Sequence, residues 1–595
     1  MIKGVMNKYL HIDLSSRKFH FDTPPEGLYD EFVGAKGAGL KLMVDMGLIT
    51  HDPLSPENPL IFITGPFTGS LVQTSARSTL VTKSPLLGTA LDSGIGGDWG
   101  PYMKRTGIDY MVVTGKSDRP VYLHITPGKV VFEDASGLWG KNRFETEKQL
   151  KSKYPDSRVL TIGPAGEKQV KLACIGTNFH RVFGRGGSGA VMGSKNLKAI
   201  VVEGKDKPEL FDEAGFKSLN TALTKDIMAH PNRKLRYERG TPMWMRWGQE
   251  DGRFLPIRNC REVVLEDYED VTAEGFRKAL GWKSTSCFNC GIMCAKKGKW
   301  KNYELEGPEY ETIAWLGVNC GLTDPEDIAY ANYLCDDFGI DTISTGATLA
   351  YAMEAFEKGF ITEAETGGIP LTFGNREAVH EMIKKIALRD GLGDILAEGS
   401  RIASRKIGQG SEYFALQVAG MELSGVNIKG CSSMGLALAT ADFASHTRLW
   451  TATAEMNGNL TFESTPKVVK DGQDEINTRN SLVVCDFFMF GFDRIAPVLE
   501  KMTGVKRSAD DLQKIGEKIS NLHRMYNIAN GRTRKDDMLP GRFLKEKHLS
   551  GIFKDRYLDE ETFNRWLDMY YDERGWDKNG IPTDEKLAEL NLKRL

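Results

Sequence analysis

The sequence has no long apolar run and no excess of charge of either sign. No stretch approaches the roughly 18 consecutive apolar residues that a membrane-spanning helix needs, so no membrane insertion is expected. The opening MIKGVMNKYLHIDL lacks the apolar centre of a secretory leader, and a cytoplasmic protein is expected. Lys plus Arg number 78 against 80 Asp plus Glu, which speaks against nucleic acid or an anionic membrane as the main partner. Cysteine is sparse, nine in 595 residues. An odd number with three clustered reads as reduced thiols and metal ligands, not as a disulfide framework. Fixed-period repeats, low-complexity tracts and long polar linkers are missing as well. At 595 residues the chain is too long for one core; at roughly 100–200 residues per domain it implies three or four, enough to bury a large cofactor.

What is present begins with Ser286–Ala295, SCFNCGIMCA, where Cys287, Cys290 and Cys294 form a CxxCxxxC run. Three thiolates on one short loop suit a soft centre, an iron–sulfur cluster or zinc, with a fourth ligand from elsewhere. Radical enzymes that bind S-adenosylmethionine use the reverse order, CxxxCxxC, and zinc sites more often use two separate CxxC pairs. The competing reading is three small buried hydrophobes. Asn289, Gly291 and Lys296 nearby describe a polar turn, not a core strand.

Residues 1–209 read as strands and turns: LHIDL, LIFITG, STLVT, YMVVTGK, VYLHIT, KVVFE, RVLTIG, VKLACIG and KAIVVEG are short β-rich runs bounded by turn residues. Two glycine-rich segments interrupt them, Ser93–Pro101 (SGIGGDWGP) and Gly184–Gly193 (GRGGSGAVMG). The second fits GxGxxG through Gly184, Gly186 and Gly189, but it lies too close to LKAIVV to leave room for the helix of a dinucleotide-binding βαβ unit. Flanked by Arg181, Arg185 and Lys195, it reads either as a phosphate cradle or as a tight turn with exposed basic residues. From about residue 210 the pattern is helical. FDEAGFKSLNTALTKDIMAH and PEDIAYANYLCDDFG have helical apolar spacing; Gly339 suits a left-handed cap and Asp341 the N-cap of the next helix. The fold class is therefore α+β, a β-rich domain over 1–209 followed by mainly helical domains over 210–415 and 416–595.

The order of motifs resembles the tungsten-containing aldehyde:ferredoxin oxidoreductase family over nearly the whole chain. The residues that carry it are YLHIDLSSRKF, GGDWGPYMKRTGIDYMVVTGK, GRGGSGAVMGSKNLKAIVVEG, CFNCGIMC, EYETIAWLGVNCGLTD, DDFGID, GRTRKDDMLPGRFL and LDMYYDERGWDKNGIPT. Each is weak alone; eight in one order are specific.

The resemblance implies tungsten, or molybdenum, held by two pyranopterins whose phosphates are bridged by Mg2+, with a [4Fe-4S] cluster beside one pterin. Cluster ligands would be Cys287, Cys290, Cys294 and Cys485, the last closing Asn480–Cys485, a DxxGLC-like motif in relatives. Asp336, Gly339 and Asp341 match the other copy of that motif, and Arg77 matches an arginine between cluster and pterin. Further pterin contacts implied are Gly94, Gly96, Gly97, Arg181, Val182, Gly184, Arg185, Gly186, Gly187, Arg448, Asn480 and Val484. Glu311 would be the general base, and His446 would hydrogen-bond the carbonyl or metal-oxo oxygen. The implied reaction is oxidation of an aldehyde to the carboxylate, with single electrons passed to ferredoxin or an iron–sulfur subunit.

Four departures stand out. Asn480 replaces an aspartate, and Gly94-Ile95-Gly96-Gly97 lacks the asparagine many relatives carry. Asn427, Ile428 and Lys429 stand where aldehyde-oxidising relatives have an Asp-Pro-Arg-like triplet, so substrate choice is open. The region after Thr323 has no ExxH pair of the kind that bridges subunits in some relatives, leaving homodimer and hetero-oligomer both open. Two other functions remain. One is a tungsten subunit of an aryl-CoA reductase or of another multi-subunit electron-transfer complex; relatives that reduce benzoyl-CoA bind tungsten through a cysteine, and Cys320, nine residues after Glu311, reads either as such a thiol or as a buried, inert one. The other is a non-catalytic iron–sulfur scaffold.

Overall fold

The computed structural model describes residues 2–595, the side chain of Asp251 excepted. Two six-stranded mixed sheets form its β-rich base. The first runs, in spatial order, Lys18–Asp22, Tyr9–Asp13, Tyr110–Thr114, Leu60–Ile63, Ser78–Lys83 and Ala90–Ile95. The second runs Arg181–Phe183, Ile175–Thr177, Arg158–Thr161, Leu197–Val202, Val121–Thr126 and Lys129–Asp134. Each has a single parallel pairing, Tyr9–Asp13 with Tyr110–Thr114 and Leu197–Val202 with Val121–Thr126.

Strand periodicity decides what each face meets. Leu60 and Phe62 point into a core shared with Leu160, Ile175, Phe183 and Ile200 of the second sheet. Ile61 and Ile63 point the other way, into a core with helix Ala35–Asp45 and the C-terminal helices Phe492–Thr503 and Ala509–Ala529. Leu60–Ile63 is thus buried on both faces and reads as a continuous apolar run. The middle of the chain packs separately, around helices Pro325–Phe338, Thr342–Glu357, Arg376–Leu388 and Ser432–Thr440. Among the described residues no helix is long and apolar enough to cross a membrane.

The last third of the chain returns to the first sheet. Helix Thr465–Leu482 packs against both Ala35–Asp45 and Ala509–Ala529. Its end therefore lies beside the loops of the β-rich base.

Three local expectations are corrected. The base is not only strands and turns, since it carries helices Ala35–Asp45, Trp99–Lys104 and Arg143–Lys153. The GxGxxG segment does leave room for a helix, Ser188–Ser194, seven residues long. It is still not a βαβ unit, because Leu197–Val202 pairs with Val121–Thr126 and Arg158–Thr161 and not with Arg181–Phe183. Finally, the expected strand VKLACIG becomes regular only at Ile175, and Gly94 belongs to strand Ala90–Ile95.

Candidate active site

The cysteine run forms an irregular loop between strands Lys283–Thr285 and Ala295–Trp300. Its turns place Asn289 (φ 48°) and Met293 (φ 52°) in the left-handed region, which asparagine accepts more readily than methionine. The β-rich base holds the loop. Gly291 N–H donates to Gln73 Oε1 at 2.6 Å and Phe288 N–H to Gly97 O at 2.9 Å. The buried Lys296 ammonium donates to Cys294 O at 3.0 Å, satisfying a carbonyl that the turn leaves unpaired. Cys485 arrives from the end of helix Thr465–Leu482, and its N–H donates to Thr74 O at 3.1 Å.

All four thiols line one cavity of about 440 Å³, together with Arg77, Arg181, Gly94, Gly96, Glu311 and His446. Burial raises the Cys290 and Cys294 thiol pKa values and pushes Cys485 up to about 11. Burial by itself would lower the Arg77 and Arg181 guanidinium pKa values, but the sulfur and carboxylate charges around them raise both. Arg77 faces Cys485, Asp486 and Cys287; Arg181 faces Cys287, Glu306 and Glu309. The donor set is that of a thiophilic centre with compensating cations.

Two further observations fit a large bound group. A Cβ built on Gly94 meets nothing within 4 Å, whereas one on Gly96 would lie 3.0 Å from Cys287 Sγ, so the glycines leave room and keep that thiol accessible. Buried polar atoms of cavity residues without a partner include Thr74 Oγ1, Arg236 Nε, Glu311 Oε1 and Trp450 Nε1. Orphaned buried groups on this scale are unusual unless a ligand meets them.

Glu311 and His446 face each other, Nδ1 lying 3.4 Å from Oε2. Glu311 sits in a three-residue helix that passes into a π-helical turn, Ile313–Gly317, a distortion that often marks functional sites. Its Oε2 accepts from Gly425 N–H at 2.9 Å. Burial lifts its pKa to about 8 against that bond and the Arg185 charge, with Asp341 pushing it up further. Burial, then Arg185 and Arg77, pull the His446 pKa down to about 3. Near neutral pH both are therefore largely uncharged, and the contact is not an ion pair despite its distance.

The remaining candidates do not line this cavity. Arg185 is fixed by Asp341 (3.4 Å), Ser344 Oγ (3.0 Å) and Ala444 O (2.9 Å), which joins the second glycine segment to the His446 loop. Val182 lies in strand Arg181–Phe183, and Gly184 and Gly186 lead from it to Gly187, the left-handed N-cap of helix Ser188–Ser194. Gly97 is left-handed and sits against Asn178 Oδ1, so an asparagine does reach the first glycine loop, from another strand connection. Asp336 pairs with His180 Nδ1 at 2.9 Å; Gly339 and Asp341 end one helix and begin the next. Asn480 is half-buried near the end of its helix, and Val484 is in the core. Arg448 binds Asp92 (2.8 Å) in a buried cluster with Lys36, Asp442 and His523. Lys36 Nζ, 3.2 Å from Asp92 and bonded to Asp442, already supplies the cation there. Cys320 does not line the cavity; its thiol lies 3.3 Å from Gly346 O, and burial raises its pKa.

Sequence reasoning left out the aromatic and acidic part of the wall. Trp244 and Trp450 meet at 4.7 Å between ring centroids, and Tyr310 stands edge-on to Trp450 at 6.3 Å. The Tyr310 hydroxyl donates to Gly425 O at 2.7 Å, steadying the residue that holds Glu311. Glu309, half-buried and raised in pKa by desolvation, accepts from Thr241. The tryptophans of TPMWMRWG were a local signal; nothing in that stretch said what they face.

Comparison with known proteins agrees with the geometry. Residues 9–204 match the family described as aldehyde ferredoxin oxidoreductase, N-terminal domain, and residues 218–592 match its domains 2 and 3. Tungsten-containing aldehyde ferredoxin oxidoreductases from Pyrococcus horikoshii and Pyrococcus abyssi are each 37% identical over 99% of both chains. A chain of the active-site complex of benzoyl coenzyme A reductase, solved with 1,5-dienoyl-CoA, superposes with a TM-score of 0.88 over 100% of this chain and 98% of that one. At 24% identity that likeness is one of fold.

Proposed function

The chain belongs to the aldehyde ferredoxin oxidoreductase family, and on that premise we propose that it oxidises an aldehyde to the carboxylate and passes single electrons to a ferredoxin-type carrier. The observation that carries this reading is the shared cavity, where four thiols and the Glu311–His446 pair open onto one space.

Cys287, Cys290, Cys294 and Cys485 would hold the [4Fe-4S] cluster, with Arg77 and Arg181 offsetting its negative charge. The glycine loops, Asp336–Asp341 and Asn480–Cys485 would hold the tungsten–pterin group, with Mg2+ part of the same reading. When bound, the tungsten group supplies the two-electron redox step and the cluster the single-electron exit.

The protein's own part is orientation, proton handling and exclusion of water. Glu311, when ionised, takes the proton of the water that adds to the carbonyl carbon. With a proton on Glu311, the imidazole turns an acceptor Nδ1 toward it, and Nε2–H is left to donate to the substrate oxygen. Trp244, Trp450 and Tyr310 would receive the apolar substituent of the aldehyde. Cys320 does not line the cavity, which disfavours an aryl-CoA reductase that binds the metal through this thiol.

Metal analysis and a viologen-coupled assay of the pure protein test the reading together. About one tungsten and four irons per chain with aldehyde-dependent viologen reduction are expected. Iron without tungsten and no turnover would support the scaffold function instead.

A further inference from the structure

The outer side of the cysteine loop carries exposed apolar side chains beside a basic helix. Leu71 is 51% exposed, Met228 40% and Tyr237 39%. Single exposed apolar residues need no explanation, but these converge on one place. Leu71 O accepts from Asn220 Nδ2 at 3.1 Å, which ties its loop to helix Glu213–Ala229. Met228, near the end of that helix, has its sulfur 2.5 Å from the position of a Cβ on Gly291, between Cys290 and Cys294. Exposed Asn289 bonds Ser70 O at 3.3 Å, next to Leu71.

The basic element is helix Pro231–Arg239. It buries no residue and carries Arg233, Lys234, Arg236 and Arg239 against one carboxylate, Glu238. It is seated on the cysteine loop, since Arg233 Nε donates to Gly291 O at 3.0 Å and Arg236 lines the cavity with the thiols. Lys225, exposed and three residues before Met228, adds a cation on the same helical face as that methionine. A helix this charged, with no residue in the core and fastened to the cysteine loop, contributes little to packing. Its outward charge is chiefly Lys234, 78% exposed and 3.9 Å from Glu238, while Arg239 pairs with Glu274 at 2.8 Å and Arg233 and Arg236 turn toward the loop and cavity.

We propose that this face docks the one-electron carrier, an acidic electron-transfer protein whose carboxylates meet the basic helix while its redox group lies over Leu71 and Met228. The proposal rests on the function proposed above. An aldehyde and a water yield a carboxylate, three protons and two electrons, so two carrier molecules are reduced in turn, one electron each, at the same place. Transient electron-transfer contacts are small, and rim charges there set the association rate and its salt dependence more than the affinity of the final complex.

The experiment uses the full-length, metal-loaded protein with a purified acidic ferredoxin and, separately, methyl viologen as acceptor. The double variant Lys225→Glu/Lys234→Glu is expected to raise the KM for ferredoxin about tenfold at low salt and flatten its salt dependence, leaving viologen reduction unchanged. Leu71→Asp should impair ferredoxin reduction likewise. Ferredoxin kinetics equal to wild type in both variants would overturn the proposal. If the wild type reduces no viologen with any aldehyde, the functional reading fails and the surface is tested alone, by calorimetric titration of ferredoxin into the cluster-loaded protein. About tenfold weaker binding by the double variant supports the surface, and equal affinity overturns it.

Discussion

The chain crosses the C-terminal end of a helix twice in matching six-residue segments, Asp336–Asp341 after helix Pro325–Phe338 and Asn480–Cys485 after helix Thr465–Leu482. The backbone device is the same. The fourth residue turns left-handed, Gly339 at φ 76°, ψ 49° and Val483 at φ 64°, ψ 29°. Each N–H donates back into its helix, to Cys335 O and Arg479 O. The sixth residue is what the turn delivers: Asp341 beside Arg185 in one case, Cys485 to the cavity in the other.

The difference between them is strain and charge. Glycine takes the left-handed region freely, whereas a β-branched valine there costs on the order of 1–3 kcal/mol. Val483 persists because it is buried, 1% exposed, in the core of the base. The first segment keeps buried carboxylates paired, Asp336 with His180 and Asp341 with two helix N–H groups. The second has Asn480 in the matching place, without charge. One backbone turn thus serves two settings, a carboxylate near Glu311 and a thiol facing the cavity.

Substitutions at the delivered residues should separate these roles most sharply. Cys485→Ser is expected to abolish the electron paramagnetic resonance signal of a reduced [4Fe-4S] cluster and to lower bound iron, whereas Asp341→Asn should keep both. Equal iron loss in the two variants would break the comparison. Next in size is Gly339→Val, which forces the second segment's strain on the first. An added Cβ would also lie 2.8 Å from Gly163 N, so destabilisation of about 3 kcal/mol or more is expected in chemical denaturation.

A pH profile reads the electrostatic half. With Glu311 held at about 8, viologen-coupled turnover should rise with pH through that value as the base ionises. Asp341 pushes that pKa up, so Asp341→Asn should move the limb to lower pH; an unmoved limb contradicts the assignment. Stability runs the other way. The folded-state pKa of Glu311 lies above its unfolded value of about 4.3, so the native state binds more protons between the two. The contribution of this group to stability is full below pH about 4.3 and declines as pH rises toward 8. The smallest effect is expected for Val483→Gly. Losing a buried valine side chain would cost about 2–3 kcal/mol, but relief of the left-handed backbone offsets most of it, for a net change within about 1 kcal/mol.

Much of this fold and site is legible in the sequence, for identifiable reasons. The strands Leu60–Ile63, Tyr110–Thr114 and Val121–Thr126 announce themselves as apolar runs between turn residues. Helix Ala35–Asp45 does not, because it has almost no polar face: Ala35–Leu40, including Lys36, are all buried. Helix Ser188–Ser194 is too short for any period to register. At the site, three cysteines within eight residues declare a ligand loop, but Cys485 lies far along the chain, and only the family resemblance singled it out. Gln73, Lys296 and Asn178, which steady the loops, and Trp244, Trp450 and Glu309, which wall the cavity, are ordinary residues in sequence. Their roles come from three separate regions meeting, which local pattern does not encode.

The central claim is that the pair opening onto the cluster cavity carries the chemistry, and Glu311→Gln tests it most directly. The variant should retain wild-type tungsten and iron content while viologen-coupled aldehyde oxidation falls by about 10²–10⁴-fold. Activity near wild type in a fully metal-loaded Glu311→Gln protein would contradict the account.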